Sequence, residues 1–199
     1  MTRGEARMAH WWRTLAAAAV CPLPGVALIL GGGFGVVLGL VVVATACLAV
    51  GWAWLVDIPA RWTAIILLLA AGAANVVALS LAPAYGPWPV AVILGVSIPV
   101  AFIREIVRGG PREWLVESVS ATATGLVALA GVSLWMSVAR ADSGGFSAMA
   151  VGALGAVGVV VARPWNRDDA GPVWADLARL TLPVAVAAPV AWIATLPFG

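Results

Sequence analysis

Residues 62–103 read WTAIILLLAAGAANVVALSLAPAYGPWPVAVILGVSIPVAFI, 42 positions without a charge between Arg61 and Arg104. About 20 apolar residues cross a bilayer core as an α-helix, so the stretch is long enough for two crossings. Its middle, Ala82-Pro83-Ala84-Tyr85-Gly86-Pro87, holds the residues that stop a helix and reverse the chain. It therefore reads as a helical hairpin. The same pattern precedes it, where 43 uncharged residues between Arg13 and Asp57 are interrupted by Gly31-Gly32-Gly33. Three single uncharged runs follow, over 118–139, 143–162 and 180–199, each about one bilayer thickness long.

The expectation is an all-α polytopic transmembrane bundle of about seven helices, spanning 14–31, 34–55, 62–82, 88–106, 117–138, 145–162 and 179–197. Lipid offers the backbone no hydrogen-bond partners, which leaves only helices or a closed barrel. Apolar runs this long, without alternation, exclude the barrel.

Composition agrees. Of 199 residues, 63% are hydrophobic and 10% charged, against about 25% charged in soluble domains, and the mean hydropathy is +1.04. Such a chain cannot wet a soluble surface, and its 22 Gly, 13 Pro and 11 Trp belong to neither a collagen nor a coiled coil. A net charge of +2 is too small for nucleic-acid binding.

Positively charged flanks stay on the cytoplasmic side, so the arginines orient the bundle. With the N-terminus cytoplasmic and the C-terminus outside, Arg3, Arg7, Arg13, Arg61, Arg104, Arg108, Arg112, Arg163, Arg167 and Arg179 lie inside, and only Arg140 lies outside. Tryptophans at the expected helix ends fit an interfacial belt: Trp11, Trp12, Trp52, Trp54, Trp62 and Trp114 inside, Trp88, Trp135 and Trp192 outside. Leu15 to Val20 is shorter than a signal-peptide apolar core, so no cleavage is expected. Cys21 and Cys47 fall within one hairpin and read as buried thiols. The chain is then a single membrane domain over 1–199, with a short cytoplasmic segment 1–13 and cytoplasmic loops 104–117 and 163–179, in the plasma membrane.

Coupled transporters usually hold an ionisable group at mid-membrane depth. Here Asp57, Glu105 and Glu117 sit near helix ends and the one histidine, His10, precedes the first helix. Asn75 is the most polar residue deep in a crossing, and it reads as an interhelical hydrogen-bonding group or a solute ligand. The densest polar segment is the elbow from Arg104 to Glu117. Arg104 and Arg108 share a helix face, Gly109-Gly110-Pro111 ends that helix, and Glu117, Ser120 and Thr124 recur at helical spacing beyond it. Guanidinium groups bind phosphates bidentately, so Arg104, Arg108 and Arg112, with Glu117, Ser120 and Thr124, form the candidate site for a substrate or lipid headgroup. The alternative is purely structural: arginines as topology signals, and hydroxyls bonding their own helix.

Small residues spaced by four mark possible close contacts: Gly31, Gly35 and Gly39; Ala70, Ala74 and Ala78; and Gly144, Ala148, Gly152 and Ala156. Packing within the monomer is the first expectation for them, and an interface with a membrane-protein partner or a second copy is the other. No metal, nucleotide or hydrolase motif occurs, so no cofactor and no catalytic residue is assigned. The pair Asp168-Asp169 reads as solvated.

Phe102-Ile103-Arg104-Glu105, the Gly109-to-Arg112 turn and the Ser/Thr-rich start from Glu117 to Gly125 resemble a pattern in small multi-pass membrane proteins of GC-rich Gram-positive bacteria, a likeness that implies no activity. Residues 90–138 also resemble the early helix, basic loop and helix of bacterial phosphatidate cytidylyltransferases, whose Lys- and Asp-rich catalytic segment has no counterpart in this chain. The expected role is a non-enzymatic accessory or assembly component of a membrane complex. The alternatives are a small-solute or lipid permease and a lipid-phosphate enzyme.

Overall fold

A computed structural model describes residues 33–56, 58, 61–109, 112–140 and 173–194, with isolated positions 23, 26, 27 and 30. These residues form five α-helices and no strand: α1 Gly33–Leu55, α2 Arg61–Leu81, α3 Trp88–Arg108, α4 Arg112–Val138 and α5 Val173–Ala194. The expected span 145–162, and 14–31 apart from those isolated positions, lie outside the described residues. So do His10, Cys21, the Asp168-Asp169 pair, Gly31 and the stripe from Gly144 to Ala156. Helices α1, α2 and α3 and residues 115–138 of α4 are each long and apolar enough to cross a membrane, and α5 carries a shorter apolar stretch, Thr181–Val190.

Local chemistry sets the helix ends. Pro83 has no N–H and restricts the residue before it, so Ala82 leaves the helical region (φ −126°, ψ 57°) and α2 gives way to a 3-10 turn over Pro83–Tyr85. Pro89 stands in the first turn of α3, where a missing N–H removes no helical bond. Gly109 closes α3 in the left-handed conformation (φ 68°), its N–H bonded to the Ile106 carbonyl at 3.1 Å. Helix runs to Arg108 and again from Arg112, so most of the expected 104–117 elbow is helix.

Short links make α1 to α4 run up and down. One end of the bundle therefore carries Trp54, Arg61, Arg104 and Arg108, and the opposite end carries Phe34, Leu79 and Arg140. At its centre is α4, which packs against all four of the others, whereas α3 packs chiefly on α2 and α4, and α5 on α1 and α4. The apolar window of α4 is accordingly 61% buried, against 22% for α3. Leu48, Leu68, Leu129, Val132, Trp135 and Met136 are sealed in the core. Val42, Val43, Ile66, Val77, Val92, Val96 and Ile103 face outward. An outer surface this apolar suits lipid as its solvent.

Three glycines bring the helices together. A methyl group on Gly72 of α2 would run into Thr45 of α1, one on Gly125 of α4 would lie 2.7 Å from the Trp52 indole, and one on Gly131 of α4 would strike the Ala185 main-chain carbonyl of α5. The expected small-residue stripes do not make these contacts. Gly35, Gly39, Ala70 and Ala74 are exposed, and nothing lies within 4 Å of a side chain added at Gly35 or Gly39. On α2 the inward small residues are Ala64, Ala71 and Gly72. Among the described residues, then, Gly35, Gly39, Ala70 and Ala74 take no part in the packing of one helix on another.

Candidate functional site

At the arginine-rich end, Glu105 is 4% exposed although it lies near the end of a lipid-facing helix. Each of its oxygens meets a guanidinium: Arg104 Nη2 at 3.1 Å from Oε2, and Arg108 Nη1 at 2.9 Å from Oε1. The second pair spans i to i+3, a spacing that puts both side chains on one helix face. One carboxylate thus holds two cations, leaving a net single positive charge. Arg104 Nε and Nη1 are buried with no hydrogen-bond partner among the described residues. The side chain of Arg112 lies outside the described residues, and the structure does not bring Glu117 to the other two arginines.

Glu117, Ser120 and Thr124 form an exposed stripe on α4. The Ser120 hydroxyl donates to the Glu117 carbonyl at 3.0 Å and the Thr124 hydroxyl to the Ser120 carbonyl at 2.8 Å. Buried Thr122 does the same to Ser118, at 2.8 Å. These protons are held by the helix itself, as Ser and Thr in lipid commonly arrange. The stripe retains lone pairs and one carboxylate for an outside group.

Asn75 lies on a different surface. It is 3% exposed on the inner face of α2, with its Oδ1 unpaired, and Thr45 of α1, which packs on Gly72 one turn away, also buries an unpaired hydroxyl oxygen. Asn75 and the Glu117 stripe therefore do not share a path: Gly125 and Leu129 face α2, whereas Glu117, Ser120 and Thr124 are exposed.

Other polar contacts are bonds between helices. Trp52 Nε1 donates to the Ala121 carbonyl at 2.8 Å, passing over the bare Cα of Gly125, and Trp135 Nε1 donates to the Val184 carbonyl at 2.9 Å. Trp52 and Trp135 do stand near helix ends as expected, but both indoles are buried against neighbouring helices and not displayed in an exposed belt, whereas Trp62 and Trp88 are exposed at helix ends. Trp54 is stacked by Arg61 at 4.5 Å. At the opposite end, Arg140 Nη1 donates to the Leu79 carbonyl at 2.9 Å and its guanidinium lies 4.1 Å from the Phe34 ring centre. Partial burial lowers the pKa of Arg140 by desolvation.

Sequence reasoning missed the burial of Glu105 and the roles of Thr45, Trp52, Trp135 and Arg140. A usable signal was present for two of them, since Gly125 and Pro83 each stand four residues beyond a carbonyl that accepts a distant donor. No family model, curated protein or solved structure matches the chain.

Proposed function

We propose that the chain is a seven-helix protein of the plasma membrane, N-terminus cytoplasmic, that serves as a non-enzymatic accessory or assembly component of a membrane complex. The observation that carries this reading is the outward position of Gly35 and Gly39 on α1 and of Ala70 and Ala74 on α2. Faces of small residues let helix backbones approach closely, and lipid gains nothing from them that larger apolar residues would not supply. The helices of this bundle make their own close contacts elsewhere, at Gly72, Gly125 and Gly131. The spare faces fit a helix from another chain. Purification in mild detergent tests the idea: a stoichiometric companion chain is expected, released by Gly39→Leu, and recovery of the monomer alone from native membranes would overturn it.

A second reading, a small-solute permease, is favoured by the unpaired oxygens of Asn75 and Thr45 inside the bundle. It predicts solute flux in proteoliposomes that falls with Asn75→Leu. Flux unchanged by that variant removes Asn75 from any pathway.

A further inference from the structure

The carbonyl of a helical residue accepts the N–H four positions on. For Ala78 that donor is Ala82, at 3.0 Å, but for Leu79 it is Pro83, which has none. Leu79 is 1% exposed, so water does not replace the missing donor readily, and an unpaired carbonyl in a lipid-embedded bundle is costly. Arg140, 61 positions away in sequence, provides the N–H at 2.9 Å. The same guanidinium lies over Phe34 of α1, and the backbone that presents it is pinned by a closing turn in which Arg140 N–H donates to the Ser137 carbonyl at 3.2 Å.

We propose that Arg140 is a conformational strap: one side chain in the turn that follows α4 closes the end of the bundle opposite Arg61, Arg104 and Arg108, replacing on α2 the hydrogen bond that Pro83 removes and anchoring α1 through Phe34. This also accounts for the one arginine that breaks the charge asymmetry of the sequence. Arg140 stands apart from the other ten because its position is dictated by a carbonyl.

The strap and the proline form a pair, which makes the inference testable by a double-mutant cycle. Hydrogen–deuterium exchange of the full chain in detergent micelles reads the opening of each end separately. Loss of a charge-assisted bond raises local opening by about 10- to 100-fold, so Arg140→Met speeds exchange over residues 76–86 by that order and leaves residues 115–122 unchanged. Pro83→Ala returns an N–H to position 83 and frees Ala82 to stay helical, so in that background the effect of Arg140→Met shrinks severalfold. Equal exchange in Arg140→Met and the parent, equal acceleration at both ends, or an undiminished effect beside Pro83→Ala overturns the proposal. If Arg140→Met does not fold, Arg140→Lys, which keeps charge and a donor without the planar face, is compared in both backgrounds. A lysine effect of the same size in both overturns it, and one confined to the Pro83 background supports it.

Discussion

Gly131→Ala tests the packing of α4 on α5 where the structure leaves least room. The added methyl would strike the Ala185 carbonyl oxygen, with the carbonyl carbon at 3.0 Å and Cα at 3.4 Å. These are main-chain atoms, so no side chain can rotate aside and α5 must move as a body. Overpacking of this kind costs about 1–3 kcal/mol. A displaced α5 also withdraws the Val184 carbonyl from Trp135 Nε1, now 2.9 Å away, and interhelical bonds in membranes are worth roughly 0.6 to 1.7 kcal/mol. Against this, alanine is better than glycine in a helix by about 0.8–1 kcal/mol. The net expectation is a loss of about 1–4 kcal/mol. Gly39→Ala is the control, because nothing lies within 4 Å of its added methyl and only the propensity gain remains. Unfolding by dodecyl sulfate, followed by tryptophan fluorescence and far-ultraviolet circular dichroism, should therefore move the two midpoints in opposite directions. Equal midpoints for Gly131→Ala and Gly39→Ala would refute the close approach of α4 to α5 and the reasoning built on it.

Trp52→Phe keeps most of the buried ring and removes the N–H that reaches the Ala121 carbonyl at 2.8 Å; the same titration should register a loss of roughly 0.6–1.7 kcal/mol, largely absent if that bond contributes nothing. Glu105→Gln leaves Arg104 and Arg108 without a counter-charge, and since both guanidiniums are partly exposed the expected loss is about 1–3 kcal/mol. Its sign is checked by the thermal midpoint in detergent at low ionic strength, where a stabilised variant would show that the carboxylate is a burden to the fold.

Helices α1 to α4 were legible because hydropathy and turn residues act locally. Trp88 begins a helix and Gly109 ends one for reasons visible within a few residues of each. Which face of each helix points inward was less legible. A membrane helix is apolar all round, so the contrast that reveals the buried side of a soluble helix is missing, and the stripe of Ala70 and Ala74 lies a single position from the truly buried Ala71 and Asn75. The candidate site was legible in part. Arg104 and Arg108 do share a face, but the carboxylate between them is buried by the packing of α3 in the bundle, which no spacing along α3 specifies. The stripe of Glu117, Ser120 and Thr124 was found by its period, and the same period brings each hydroxyl to its own helix backbone.

Helices in lipid have little hydrophobic reason to associate, so backbone groups left without partners acquire unusual weight. Two prolines in this chain can be set side by side on that basis. Pro83 strips the Leu79 carbonyl, which faces inward and is repaired by Arg140; Pro99, inside α3, strips the carbonyl of Gly95, and both residues lie on the exposed face with open space beside Gly95. Replacing each proline by alanine should then have unequal effects. An interior proline disfavours a helix by about 3 kcal/mol, and Pro99→Ala should recover a substantial part of that, seen as a higher denaturant midpoint and slower exchange over residues 95–100. Pro83→Ala should gain much less, because the bond it restores is already replaced by Arg140. A Pro99→Ala variant no more stable than Pro83→Ala would mean that the Gly95 carbonyl already has a donor of its own, and the contrast drawn between the two prolines would fail.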